Sequence, residues 1–287
     1  MAVKDDLKTF KIAAWLGWQM ESNWTDPFLF ATYSIVRPIA GTLILVFMYL
    51  VITSGDTGSA FFSYMYVGNA FYMFVAEVLF GVTWVIHDDR EHFMTLKQVY
   101  IAPIHFYTYV FGRAAIKIAI VSTGILITLA FGVAVLGVDI ALASIDWPLF
   151  IISLVLGLIM LCVMGLAMGG LTFLTAKHEM GINEGVAGVF YVLSGVIFPI
   201  TILPAWAQSV SMVLPVTYWM EALRRGLMPA SMSEIAGGTG LEHLGNLELM
   251  GALALSATVF LLLSVAVFNY ADKVARKKGK IDWTSAY

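Results

Sequence analysis

The sequence is poor in charged residues, and this deficit limits what kind of protein it can form. Only 12% of its 287 residues are Asp, Glu, Lys or Arg, whereas about 25% is usual for a soluble domain. Hydrophobic residues make up 60% of the chain, and the mean hydropathy is +0.86. A water-soluble fold of this length could not bury so much apolar surface, so the composition indicates a membrane protein.

Cysteine and the common catalytic motifs are also scarce. The single cysteine, Cys162, lies in an apolar run, which excludes a disulfide framework and a cysteine-based metal site. The chain has no GxxxxGK[ST] phosphate loop, no HExxH motif and no GxSxG elbow. We therefore predict no catalytic residue, no metal site and no cofactor bound by this chain.

Long uncharged stretches alternate with short charged segments. About 20 apolar residues suffice to cross about 30 Å of hydrocarbon. On this basis we predict an all-α polytopic membrane protein with six transmembrane helices, at about residues 34–53, 60–86, 105–136, 148–175, 186–203 and 250–270. Charged residues such as Lys4, Asp5 and Lys8 interrupt the N-terminus, so we expect no cleavable signal peptide there.

The segments outside these crossings divide the chain further. Residues 1–30 contain an amphipathic pattern at 4–24, which favours a helix in the membrane interface over a soluble helix packed on a partner. Residues 31–272 form the transmembrane domain, and residues 273–287 form a basic tail. With both termini in the cytoplasm, every basic residue except Arg224 and Arg225 lies inside. The prolines at 199, 204 and 215 then favour a re-entrant hairpin at about 204–227 over a seventh crossing.

The strongest local signal is the charged segment 88–103 after the second crossing. Acidic residues at its start favour a helix N-terminus, and Pro103 ends the pattern. Phe93, Leu96, Val99 and Tyr100 share one side, so the segment is either a helix that offers a knob to a cytoplasmic partner or an ordinary interfacial loop helix.

This segment resembles the signature of the ABC-2 type transporter permeases. In that family an acidic patch, a Gly-Thr-hydrophobic-acidic segment and a later proline form the coupling helix. Thr95, Leu96 and Pro103 match that pattern, while Phe93 or Met94 replaces its glycine and Lys97 replaces its later acid. The resemblance implies that an ATPase subunit is contacted by the following residues: Asp89, Arg90, Glu91, Phe93, Thr95 and Leu96.

A second resemblance lies in the proline-rich region. The stretches 198–206 and 214–226 look like the outer hairpin of the family, in which a Pro-x-Thr-Tyr helix follows a proline-broken span. The residues that carry this match are Pro199, Pro204, Pro215 and Arg224. Arg224 and Arg225, beside Glu221, could meet lipid headgroups or an anionic product, or form a local salt bridge.

Several residues are candidates for a substrate path. Glu77 lies about 15 Å from the end of the second crossing at 1.5 Å per residue, a depth at which a carboxylate is costly. It is either a substrate-path or proton-linked acid or a structural residue. The aromatic residues near it could stack on sugars or planar drugs, or simply pack. The path candidates are Glu77, Phe74, Tyr72, Trp84 and Tyr218.

The resemblance implies a permease subunit of an ATP-driven exporter in the cytoplasmic (inner) membrane. Its partners would be two copies of a nucleotide-binding ATPase subunit, which supply ATP and Mg, and a second copy of this chain or a related permease. Membrane lipids would surround it, and no nucleic acid is expected. The cargo implied is a lipid-linked polysaccharide, a lipid or a hydrophobic drug. An ion-coupled secondary transporter or channel that uses Glu77 is the alternative.

The topology leads to a direct test by chemical labelling. A single cysteine placed within residues 88–103, in a variant that lacks Cys162, should react with a membrane-impermeant maleimide only after the cytoplasmic side is opened. Labelling of intact cells at this segment would overturn both the topology and the assignment as a coupling segment.

Overall fold

The computed structural model describes residues 3–23, 26–55, 57–174, 179–235 and 237–279, and all regular structure in these ranges is helical. The α-helices are α1 Val3–Ser22, α2 Pro27–Thr53, α3 Ala60–Phe74, α4 Phe80–His87, α5 Leu96–Ile101, α6 Phe106–Phe131, α7 Trp147–Thr172, α8 Glu179–Leu193, α9 Ala205–Ser211, α10 Pro215–Leu227, α11 Pro229–Ser233 and α12 Asn246–Lys277. Short π-helical turns follow three of them, at Val75–Leu79, Asp88–His92 and Gly132–Leu136.

Five helices in the described ranges are long and apolar enough to cross a membrane. They are Phe28–Thr53, Ala60–His92, Phe106–Leu136, Trp147–Thr172 and Asn246–Lys277. The second of these joins α3 and α4 through a π-helical turn into one continuous helix. The prediction of an all-α polytopic membrane protein is confirmed.

The predicted fifth crossing at 186–203 has a different form. Its helix, α8, ends at Leu193, and its apolar part is a shorter helix, Gly181–Leu193. Gly195 then adopts a left-handed φ of +67°, which glycine tolerates without a steric penalty, and Pro199 begins a short 3₁₀ turn at Ile200–Ile202. The helix therefore ends about ten residues before the predicted end of this crossing.

Two short helices occupy the region that the prolines had marked. Pro204 precedes α9, and Pro215 is the first residue of α10, where its missing N–H costs no helical hydrogen bond. The two helices have 7 and 13 residues. Whether they re-enter the membrane stays a prediction.

The helix formed by α3 and α4 lies at the centre of the bundle. Its side chains are the most buried of the five long helices, and it packs on α6, α7 and α10. Small residues on α7 permit this contact, because a Cβ at Gly165 would lie 2.5 Å from the Leu79 carbonyl oxygen. Lipid supplies no hydrophobic force between helices, so close packing through small residues has to stabilise such an interface.

Helix α1 lies along the first half of α6. Gly112 of α6 faces the backbone of Phe10, and Gly17 of α1 faces the backbone of Arg113. The side chains of Ile12 and Trp15 remain exposed. A location of α1 in the membrane interface stays a prediction.

The contact between α7 and α10 yields a stability test. The indole of Trp219 donates a hydrogen bond to the Ser153 carbonyl at 2.9 Å and covers Gly157, where a Cβ would lie 2.0 Å from Trp219 Nε1. Gly157→Ala should therefore destabilise the protein by about 1–3 kcal/mol through overpacking. Thermal unfolding in detergent micelles measures the effect.

Gly251 provides a matched control in α12. No atom lies within 4 Å of a Cβ at this position, so Gly251→Ala should leave stability unchanged or raise it by about 0.5–1 kcal/mol. Equal melting temperatures for both variants would contradict the packing described here.

Candidate functional site

The charged segment after the second crossing has a sharp turn at its centre. The π-helical turn Asp88–His92 continues α4, the chain reverses at residues 93–95, and only Leu96–Ile101 form the separate helix α5. The acidic residues therefore end the long helix. The sequence had suggested instead that they begin the surface helix. The reason is that Asp89 pairs with a buried cation of α6 and stays on the bundle side of the turn.

Met94 holds this turn in an unusual backbone conformation. Its φ is +52°, in the left-handed region where non-glycine residues are uncommon. The sequence left open whether Phe93 or Met94 replaces a glycine of the coupling segment. The structure favours Met94, because glycine would adopt this conformation without steric cost.

Asp89 ties the turn to α6. Its carboxylate accepts a hydrogen bond from Arg113 Nη1 at 2.5 Å and another from Tyr109 Oη at 2.9 Å. Its backbone carbonyl accepts the N–H of Thr95 at 2.8 Å. Both charged side chains are buried, so each one compensates the desolvation of the other.

Arg90 ties the same turn to α7. Its Nη1 donates to the carbonyl of Thr172 at 2.8 Å, at the end of α7, and its Nε donates to Glu91 at 2.8 Å. The last carbonyls of a helix have no partner within the helix, and a cation is favoured there. The buried guanidinium thus connects the second and fourth long helices.

Tyr100 ties α5 to the last helix, α12. Its hydroxyl donates to Asp272 at 2.9 Å, and the guanidinium of Arg276 lies 4.5 Å from its ring centroid. Its ring also stacks on Phe106 at 4.9 Å between centroids. Burial, aided by the Asp272 charge, raises the pKa of the Tyr100 phenol, so it stays protonated and can donate this bond.

These ties decide which predicted coupling residues reach the surface. Asp89, Arg90 and Leu96 are buried, whereas Glu91 and Thr95 are partly covered. Phe93 is 43% exposed, and its ring lies 4.7 Å from that of His92 between centroids. We call the outward side of this segment the knob, and it consists of His92, Phe93, Met94, Lys97, Gln98 and Ile101.

A separate cavity of about 560 Å³ lies between α1, α2, α3, α6 and α8. Two ion pairs line it. Arg37 Nη1 of α2 lies 3.1 Å from Glu77 Oε1 in the first π-helical turn, and Lys117 of α6 pairs with Glu21 of α1. All four side chains are partly exposed to the cavity or to solvent, unlike the pair at Asp89. We call this space the charged cavity.

Tyrosine rings and an amide line the charged cavity beside these pairs. Tyr72 and Tyr191 lie 4.6 Å apart between ring centroids. Tyr72 donates to the Ala187 carbonyl at 2.6 Å, and Tyr191 donates to Asn69 at 3.0 Å. These bonds orient both phenols between the central helix and α8.

The predicted path residues do not form one surface. Glu77 and Tyr72 line the charged cavity. Phe74 is buried against Trp219, with ring centroids 6.4 Å apart, and Trp84 packs on His87 at 4.7 Å. Tyr218 donates to the Met212 carbonyl at 2.6 Å in the hairpin.

Sequence reasoning did not identify Arg37, Lys117, Glu21 and Tyr191 as neighbours of Glu77. A signal for Arg37 was present, because an ionisable residue within an apolar helix usually has a partner at similar depth. The π-helical turn that places Glu77 inserts one residue into the helical repeat, and such turns are frequent at functional sites.

A family comparison now places this geometry in context. Residues 10–228 match the model of the ABC-2 type transporter family, which covers more than half of the chain. The chain belongs to the ABC-2 type transporter family. It is therefore a multi-pass membrane permease subunit, and the family implies association with an ATP-binding subunit. No curated protein sequence matches the chain.

The hairpin of this ABC-2 permease is fixed by buried polar contacts. Arg224 is buried, lies over the Tyr64 ring at 3.6 Å and donates to the Val196 carbonyl at 2.6 Å. Gly68 makes room for it, because a Cβ there would lie 1.8 Å from Arg224 Nη2. The expectation that Arg224 could meet headgroups at the outer surface is therefore wrong for this conformation.

Arg225 has a local role as well. It pairs with Glu221 at 3.0 Å and donates to the carbonyls of Leu241 and Leu244 at 2.7 and 2.6 Å. The sequence left open whether Arg225 meets lipid headgroups, meets an anionic product or forms a local salt bridge. In the structure it forms the local salt bridge. Among the described residues, no group of His, Cys, Asp and Glu side chains could hold a metal ion.

The buried pair at the turn predicts strong coupling between two substitutions. Asp89→Asn or Arg113→Gln alone leaves a buried charge without its counterion, which should cost about 3–5 kcal/mol. The double variant should lose less stability than the sum of the single variants, as contacting residues do. Thermal unfolding of all four proteins in detergent measures this coupling.

Arg276→Gln serves as the control, because its pair with Asp272 is half-exposed and should contribute less than about 1 kcal/mol. Additive losses at positions 89 and 113 would show that the two charges do not depend on each other.

Proposed function

We propose that this permease subunit exports an amphiphilic or hydrophobic compound, or a lipid-linked glycan, in a complex with an ATPase subunit. The single observation that carries the proposal is the set of contacts made by the segment 88–103. Its knob is exposed, and its other side connects to α6, α7 and α12 through Asp89, Arg90 and Tyr100.

These contacts support a path for mechanical force. A displacement of the knob would pull on α6 through Arg113, on α7 through the Thr172 carbonyl and on α12 through Asp272. Buried charge pairs resist separation, because breaking them strands an unpaired charge in apolar surroundings. The turn would thus move these helices together and would not slide over them.

The energy source in this proposal is the partner. The sequence lacks the phosphate loop that binds ATP, so two ATPase subunits would bind ATP and Mg and act on two permease chains, either identical or related. Closure of the ATPases would bias the bundle between two arrangements, which is the physical basis of alternating access. The knob and both termini would lie in the cytoplasm.

The family match supports this proposal over an ion-coupled transporter that uses Glu77. That alternative needs Glu77 to exchange an ion or proton during each cycle. In the structure Glu77 has a cation partner, Arg37, within the same chain. No observation favours ion coupling.

Phe93 provides the sharpest test of the knob. Phe93→Asp should remove an exposed aromatic anchor and reduce co-purification of the ATPase by about tenfold or more, as loss of a central aromatic contact does. ATP hydrolysis in membranes that contain both proteins should lose its dependence on the permease. The melting temperature of the isolated permease should fall only slightly, because nearly half of the side chain is exposed.

Leu142→Asp is the matched control. Leu142 is an exposed apolar residue in the short turn Leu142–Ser144 between α6 and α7, at the end of the bundle away from the knob. It should retain full ATPase association. Normal ATPase binding by a folded Phe93→Asp protein would rule out the knob as the docking surface.

A further inference from the structure

The charged cavity presents both signs of charge to one ligand-sized space. Its cations, Arg37 and Lys117, come from α2 and α6, and its acids, Glu21 and Glu77, come from α1 and the π-helical turn. The volume of about 560 Å³ falls within the usual range of about 300–1,000 Å³ for small-molecule sites.

The ion pairs leave part of each cation available to a ligand. The Arg37 side chain is 57% exposed although it pairs with Glu77, and its guanidinium lies 5.1 Å from the Tyr33 ring centroid. Arginine offers five N–H donors in a fork that suits phosphate oxygens. Lys117 adds a second positive charge at another wall of the same cavity.

The same cavity also has features that suit a cation. Glu77 supplies negative charge, and the rings of Tyr72 and Tyr191 line the same cavity. Aromatic faces attract ammonium groups, including quaternary ones. The two cations and the two acids pair with each other, so these four groups give the cavity no net charge, which suits a ligand that also carries no net charge.

We propose that the charged cavity binds a zwitterionic headgroup that joins a phosphate to an ammonium group. The phosphate contacts Arg37 and Lys117, and the ammonium lies by Glu77 and the tyrosine pair. The same chemistry occurs in a bilayer phospholipid and in a soluble phosphodiester, and both sources fit this pattern of charge.

The surface of α2 beyond the cavity suits the tails of a lipid. Gly41 and Thr42 line the cavity, and the next residues toward the end of α2 include the exposed apolar side chains of Ile44, Phe47 and Met48. Acyl chains attached to a headgroup in the cavity can therefore lie along α2 without leaving the apolar zone.

This inference deepens the proposed function, and it rests on that function only in treating the bound amphiphile as cargo. Binding itself needs no ATPase. If Phe93→Asp keeps ATPase association and the cavity still binds the ligand, the exporter mechanism is wrong and the site stands. If Phe93→Asp loses ATPase association and the cavity binds no ligand, the site is wrong and the mechanism stands.

Ligand binding to the full chain tests the proposal. Protein purified in a neutral glycoside detergent is titrated with dihexanoyl phosphatidylcholine and with dihexanoyl phosphatidylglycerol, and complexes are counted by native mass spectrometry. We expect the zwitterionic lipid to bind at least about tenfold more tightly, because only it offers a negative group to the cations and a positive group to the acids of the cavity. Equal or tighter binding of phosphatidylglycerol would overturn the proposal.

Two kinds of variant locate the site. Arg37→Gln should weaken binding of the zwitterionic lipid by about tenfold, since it removes the phosphate contact. Gly41→Leu keeps every charge and adds a bulky side chain at the cavity wall, because no atom lies within 4 Å of a Cβ at Gly41. It should weaken binding by about tenfold or more, whereas Gly251→Leu on α12 should not. Unchanged affinity in Gly41→Leu would refute the site even if Arg37→Gln proved unstable.

Glycerophosphocholine separates the two sources of the headgroup. Comparable affinity for this soluble compound would support the site with a soluble zwitterion as ligand. Binding of the short-chain lipid alone would support the site with a membrane lipid as ligand. Binding of neither compound would overturn the proposal.

Discussion

The ion pair between Asp89 and Arg113 is the interaction on which the functional end of the molecule depends. Both side chains are buried, so neither charge can be separated from the other without a large desolvation cost. The pair holds the end of the central helix against α6 and fixes where the chain reverses. The outward position of Phe93 and the contact of Tyr100 with α12 follow from that reversal.

Two carboxylates of the central helix, Glu77 and Asp89, have contrasting settings. Asp89 is enclosed with its cation, which suits a joint that transmits displacement. Glu77 is one-third exposed in a cavity, and its partner Arg37 is also partly exposed there. This arrangement suits recognition of a ligand. Burial separates these roles, because water weakens and screens an exposed pair while an enclosed pair stays rigid. The π-helical turns at 75–79 and 88–92 place each acid at its site.

The departure of this chain from the family pattern at the coupling segment has a structural consequence. Met94 takes a left-handed conformation that glycine would adopt freely. The turn keeps this shape because hydrogen bonds on both sides fix it, from Phe93 N to the Asp88 carbonyl and from Thr95 N to the Asp89 carbonyl, each at 2.8 Å. As a result, the knob carries the apolar side chain of Met94 at a position where glycine would expose only backbone.

The sequence by itself determined the membrane class and most of the long helices, because bilayer thickness sets a minimum length for apolar runs and charge limits where they end. Its prolines also marked where α9 and α10 begin. Only the tertiary structure decided the end of α8 at Leu193, the burial of Arg224 and the pairing of Arg37 with Glu77 and of Asp89 with Arg113. Such pairings join residues that are distant along the chain, and a local pattern carries no information on which buried charges the packing of the helices brings together.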